Sequence, residues 1–198
     1  MIKAIRKLRE EHRAISAVVY ALEQLAHAAQ DTTVRPEFEV FRAMLYYIDA
    51  FPERQHHPKE DEHLFARLRA RAPEAGPMLD ELHAEHARSA TLIRDLEQAL
   101  LAFEESWPNG AAAFAAVVDE YARFHRAHMR REEHEVLPLA EKALTPEDWD
   151  AIETAFAANS DPLSDRQYHT DFSKLYSRIV ELAPDPIGLG AQWKKAGA

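Results

Sequence analysis

The chain places histidines and glutamates inside apolar helical stripes, and it does so twice in the same order. His56-His57-Pro58-Lys59-Glu60 precedes Leu64-Phe65, and His128-Met129-Arg130-Arg131-Glu132 precedes Val136-Leu137. Both read H-x3-E. Each is preceded by a lone histidine that follows a glutamate, Glu11-His12 and Glu85-His86, with 44 residues from His12 to His56 and 42 from His86 to His128. The first stripe runs Ile5, Leu8, His12, Ile15, Val19, Leu22 in steps of three and four, the period of a helix with one buried face. His86 falls in the same way among Leu79, Leu82, Ala90 and Ile93, and His128 and Glu132 fall between Tyr121 and Val136. Residues four apart lie one turn apart, so each H-x3-E turns both groups inward. The pattern demands two helical hairpins, each with a His on its first helix and a His/Glu pair on its second.

Helix signals dominate the rest, and period-2 strand runs are absent. The first helix is expected over residues 2–29, broken by Asp31-Thr32-Thr33. The second begins near Pro36, carries Phe38, Phe41, Leu45, Ile48 and Phe51, and is expected to kink or restart at Pro52 and Pro58. Gly76-Pro77 opens a third over about 78–106, and Trp107-Pro108-Asn109-Gly110 separates it from a fourth. Thr145-Pro146-Glu147-Asp148 is a capping sequence that starts a fifth helix reaching about Ala158, and a sixth is expected over about 165–182. The tail carries Pro184, Pro186, Gly188 and Gly190 and is expected to be irregular, docking through Ile187, Leu189 and Trp193. The fold class that follows is all-α. Residues 1–143 form an up-down-up-down four-helix bundle, and residues 144–198 form an extension of two further C-terminal helices and a tail packed on it.

Composition removes several function classes. Cysteine is absent, which excludes disulfides, thiolate metal sites, iron–sulfur clusters and cysteine nucleophiles. Any metal must be held by nitrogen and oxygen. A net charge of −10 argues against nucleic acid or an anionic membrane as partner. No apolar run approaches the roughly 20 residues of a membrane span, and the N-terminus lacks a signal-peptide core, so the expected location is cytoplasmic. Five glycines form no phosphate-binding loop, whereas 11 histidines are many for 198 residues.

A carboxylate buried without a partner is costly, and a pair of divalent cations removes that cost. The candidate ligands are His12, His56, Glu60, His86, His128 and Glu132. His83 and His125 each stand three residues before a proposed ligand and so can face the same site, as a further nitrogen ligand or as hydrogen-bonding neighbours. His57 points elsewhere if its helix is regular, although the Pro58 break leaves its register open. Tyr46, Tyr47 and Tyr121 read as core.

Glu11-His12-Arg13, His56-x3-Glu60 before Leu64-Phe65, Glu85-His86, and His128-x3-Glu132 before Val136-Leu137-Pro138 together resemble the hemerythrin/HHE cation-binding family over about residues 1–142. The resemblance implies a four-helix bundle around two iron ions bridged by oxygen or carboxylate. His12 and His86 would be the ligands of the first and third helices. His56 with Glu60, and His128 with Glu132, would be the imidazole and bridging carboxylate of the second and fourth. The oxygen-carrying members place two histidines at i, i+4 on the third helix; here Leu82 takes the earlier position and His83 is the nearest substitute. The fourth-helix carboxylate is likewise Glu at +4 instead of the carriers' Asp at +5.

Imidazole with carboxylate suits iron, and also manganese or zinc. The expected function is a non-haem di-iron protein that binds or senses dioxygen or redox state, its partner being dioxygen or another small oxidant. Two other readings are a di-iron oxidoreductase acting on peroxide or nitric oxide, and a metal-stabilised helical module for a protein partner.

Overall fold

A computed structural model describes residues 2–157 and, beyond them, Ile179, Glu181, Ala183, Pro184, Ile187 and Trp193. Among the described residues every regular element is helical. The first rod is α1 (Lys3–Ala28). The second runs without a break through α2 (Phe38–Ile48), a π-helical stretch (Asp49–His56), α3 (His57–Lys59), another π-helical stretch (Glu60–Phe65) and α4 (Ala66–Arg71). A 3-10 turn at Pro73–Ala75 leads into the third rod, α5 (Gly76–Ser106). The fourth passes through α6 (Ala111–Arg131), a third π-helical stretch (Glu132–Val136) and α7 (Leu137–Ala143), and α8 (Pro146–Ala157) follows. Of the expected sixth helix only Ile179 and Glu181 are described, both helical; the rest of it and Leu189 fall outside the described residues.

Each rod packs on the next, and α6 closes the ring on α1. Ion pairs mark the seams. Glu23 meets Arg126 and His12 meets Glu133 between the first and fourth rods. Arg88 meets Glu120 and Glu81 meets Arg131 between the third and fourth. Arg42 meets Glu104 and Arg69 meets Asp80 between the second and third. No described helix is long and apolar enough to cross a membrane.

The second rod corrects one expectation. The helix does not restart at Pro52, because Pro52 lies inside the π-helical stretch. There the hydrogen bonds span five residues, so the missing proline N–H is absorbed by a widened turn. Between the third and fourth rods Gly110 adopts φ 89, and a Cβ there would lie 2.8 Å from Ser106 Oγ. Only glycine suits that turn. At the start of α8, Asp148 N–H donates to Thr145 Oγ1 at 3.3 Å while Asp148 Oδ2 accepts from Thr145 N–H at 3.1 Å, a reciprocal cap.

Two apolar clusters fill the bundle. One holds Ile15, Leu22, Phe41, Phe51, Leu96, Phe103, Phe114 and Tyr121. The other holds Leu8, Leu64, Leu68, Leu79, Leu82, Val136 and, from α8, Trp149, Ile152 and Phe156. Tyr47 and Tyr121 are core, whereas Tyr46 is exposed at 55% and lies on the surface. Ile187 and Trp193 of the tail pack partly buried on the first cluster. Between the clusters, at one level of every rod, sits a buried polar layer: Glu11 and His12, then His56, His57 and Glu60, then His86 and Ser89, then His125, His128 and Glu132.

Candidate metal centre

Glu60 and Glu132 each occupy the first residue of a π-helical stretch, so the sequence repeat is also a structural one. π turns recur at functional sites because the extra residue re-aims neighbouring side chains. Here they aim two carboxylates at a common centre. Glu60 Oε1 lies 3.5 Å from His12 Nε2 and 3.4 Å from His56 Nε2, and its Oε2 lies 3.6 Å from His86 Nε2. Glu132 Oε2 lies 3.4 Å from His12 Nε2, and its Oε1 lies 3.3 Å from His128 Nε2 and 3.6 Å from His86 Nε2. Each carboxylate thus directs one oxygen to either half of the site.

All six residues expected from the sequence meet here. Donor atoms of His12, His56 and Glu60 lie within 4.8 Å of one another, as do those of Glu60, His86, His128 and Glu132. A third such group, His57 with His86 and His128, adds a residue that points elsewhere in a regular helix and whose register Pro58 left open. The regular-helix premise failed: the π turn ending at His56 packs both adjacent imidazoles inward, His56 at 1% and His57 at 4% exposure. The proline inside an H-bearing stripe was the signal that the register would shift.

His83 does not join the cluster. Its side chain is 69% exposed and its Nδ1 lies 3.0 Å from Asp61 Oδ2, because a position three before His86 turns to the rim of α5. His125 is buried but directs its Nε2 to Ser89 Oγ at 3.0 Å, and it belongs to none of the three donor groups. It is a neighbour of the site.

A surrounding set of carboxylates was not read from the sequence. His56 Nδ1 donates to Glu11 at 2.8 Å, His128 Nδ1 to Glu85 at 2.8 Å, and His12 Nδ1 to Glu133 at 3.1 Å. His86 Nδ1 lies 3.1 Å from Asp61 Oδ1. A carboxylate behind Nδ1 fixes the tautomer and leaves the Nε2 lone pair facing the centre. Glu11 and Glu85 immediately precede His12 and His86, yet each serves the histidine of the neighbouring rod.

The electrostatics follow from crowding. Burial lowers His12, yet Glu133, Glu60 and Glu132 carry it up to about 10. His86 is raised to about 9 against the same burial by Asp61, Glu132 and Glu60, and His128 to about 10 by Glu132, Glu85 and Glu60. Burial opposes ionisation of Glu132, but His128, His86 and His12 hold it well below the usual carboxylate range. His57 goes the other way, pushed well down by burial and then by His86 and His56. Burial and His128 lower His125 to about 3. Burial raises Glu53, beside His57, to about 7.

The residues fit a pair of cations. His12 Nε2, Glu60 Oε2 and both carboxylate oxygens of Glu132 are buried and have no hydrogen-bond partner among the described residues. His86 Nε2 and His128 Nε2 lie 3.0 Å apart although each Nδ1 faces a carboxylate. Donors about 2.1 Å from a shared ion stand about 3.0–3.4 Å from one another, close to the spacings observed. On the outer side, a surface depression of about 340 Å³ lined by His12, Arg13, Ser16, Met129, Arg130 and Glu133 reaches the edge of the site. A depression of about 300 Å³ at Leu45, Tyr46 and Leu101 contains none of the site residues.

The family model described as the hemerythrin HHE cation binding domain matches residues 3–140, the span that holds every residue of this cluster. No curated protein sequence matches the chain.

Proposed function

The chain belongs to the hemerythrin HHE cation-binding family, and from that premise we propose that it is a non-haem di-iron protein that binds dioxygen or senses oxygen and redox state. The observation that carries the reading is the pair of buried carboxylates, Glu60 and Glu132, each with one oxygen on either side of a ring of imidazoles. His12 and His56 would hold one ion and His86 and His128 the other, with both glutamates spanning the two. The bundle is up-down-up-down in this reading, supported by seam pairs in which residue numbers fall on one rod as they rise on the next.

Two iron ions supply electrons to a small oxidant when bound. Around them, Glu11, Glu85, Glu133 and Asp61 hold the imidazole rings in orientation, and the apolar clusters on both sides limit water. The donor set suits manganese and zinc as well, so metal identity is settled by analysis of the isolated protein. Anaerobically prepared full-length chain is expected to carry two iron ions and to change its absorption spectrum on addition of air. Chain that retains no iron, or whose spectrum is indifferent to oxygen, refutes the proposal.

The depression over His12 supports a second reading, turnover of peroxide or nitric oxide arriving from solvent. Steady-state consumption that disappears in Glu60→Gln would favour it, and reversible oxygen binding without consumption would not.

A further inference from the structure

We propose that His57 is the fifth imidazole of the centre, standing with His86 and His128, and that Glu53, clamped by Ser89, is its positioning residue. The inference rests on the metal-site reading above and adds one ligand and its support to it.

His57 is placed as a ligand in three independent respects. A ring nitrogen lies within 4.8 Å of donor nitrogens of His86 and His128. The ring stacks on that of His86, with centroids 4.4 Å apart and planes 11° from parallel. Its Nδ1 is buried without a hydrogen-bond partner among the described residues and lies on the side of Glu53, 3.6 Å from Oε2, farther than the 2.8–3.1 Å at which the Nδ1 atoms of His12, His56, His86 and His128 meet their carboxylates. With Nδ1 so directed, Nε2 is the nitrogen left for an ion.

The competing imidazoles are accounted for. His83 is on the surface, and His125 Nε2–H is given to Ser89 Oγ. One turn before His86 stands Leu82, fully buried in the apolar cluster, so the third rod offers no second donor there. The π turn of the second rod supplies the missing nitrogen instead.

Glu53 is held from behind. Ser89 Oγ–H donates to Glu53 Oε1 while Ser89 Oγ accepts from His125, a short chain crossing from the fourth rod through the third to the second. Ser89 and His125 are each 1% exposed. The hydroxyl holds Glu53 Oε1 and leaves Oε2 on the His57 side, 3.6 Å from its Nδ1. The centre is therefore unsymmetrical, with three imidazoles on one ion and two on the other.

The test uses metal-depleted full-length chain reloaded with cobalt(II). Exchangeable imidazole N–H resonances shifted by the metal are counted by NMR, with cobalt content and circular dichroism recorded alongside. Five resonances are expected in the parent chain and in His83→Gln, and four in His57→Gln. Five in His57→Gln, or a loss in His83→Gln, overturns the ligand assignment. Glu53→Leu is expected to displace the His57 resonance and leave the other four, whereas Glu53→Gln, which keeps an acceptor oxygen, restores it. An unmoved resonance in Glu53→Leu overturns the positioning role. Should His57→Gln fail to fold, Ser89→Ala touches no ligand and is expected to displace that resonance alone; no displacement overturns the clamp. Two bound cobalt ions with four resonances in the parent chain refute this inference only, whereas no bound cobalt refutes the metal site.

Discussion

Loading the centre with two divalent ions at pH 8 is expected to expel about three protons per chain. In the metal-free chain His12 and His128 titrate at about 10 and His86 at about 9, because Glu60 and Glu132 together with Glu133, Glu85 and Asp61 favour the imidazolium against burial. An ion takes the lone pair that the proton occupies, so each of these rings must lose its proton on loading. His57 and His125 are held neutral by burial and neighbouring imidazoles and release none. Glu53, raised by burial to about 7, is already ionised at pH 8. Three protons exchanged for two ions make the overall binding constant rise about a thousandfold per pH unit near pH 8, or about 4 kcal/mol. Calorimetric titration with manganese(II) in buffers of different ionisation enthalpy measures the proton count directly. A release below two protons would refute the electrostatic account. The same shifts set the stability of the metal-free chain. A histidine raised in the folded state stabilises below its unfolded value of about 6.5, and that contribution is lost as pH rises through the folded value. The metal-free melting temperature is therefore expected to fall between pH 8 and 10.

Glu85→Ala removes the acceptor of His128 Nδ1–H, and the affinity for the metal pair is expected to fall about 10- to 100-fold with the helical circular dichroism unchanged. Phe103 is fully buried against Phe38 and Phe114, well apart from the polar layer; Phe103→Ala should cost about 3–5 kcal/mol in denaturant unfolding while the metal count stays at two. Thr145→Ala deletes the acceptor of Asp148 N–H and is expected to cost about 1 kcal/mol, read as faster amide exchange in the first turns of α8.

The rods were legible because their apolar stripes are long and regular. The first was expected over 2–29 and runs Lys3–Ala28, and the third differs only at its start, Gly76 in place of 78. The six candidate ligands were legible for the same reason, since a histidine or glutamate inside such a stripe has nowhere to point except inward. His83 and His57 were the two histidines whose direction the stripes left open, because it turns on whether each helix keeps the α-helical period. Along α5 the period holds, and three residues before His86 is rim. Around Pro52 it does not hold, and two adjacent imidazoles share one face. Tyr46 was assigned to the core from residue type and is exposed, since Tyr47 beside it takes the inward position.

Sequence alone determined that this chain is helical, that its rods carry four imidazoles and two carboxylates on their buried faces, and that no thiolate could serve in their place. Those conclusions depend on periodicity and residue chemistry, which are local. Tertiary structure decided the rest. It brought His57 and not His83 into the cluster, set one oxygen of Glu60 and of Glu132 toward each half of the site, and placed a carboxylate from another rod beside Nδ1 of His12, His56, His86 and His128. The physical reason is that these choices depend on the angular register of one rod against its neighbours. A single π turn changes that register, and a stripe of residue types does not record it.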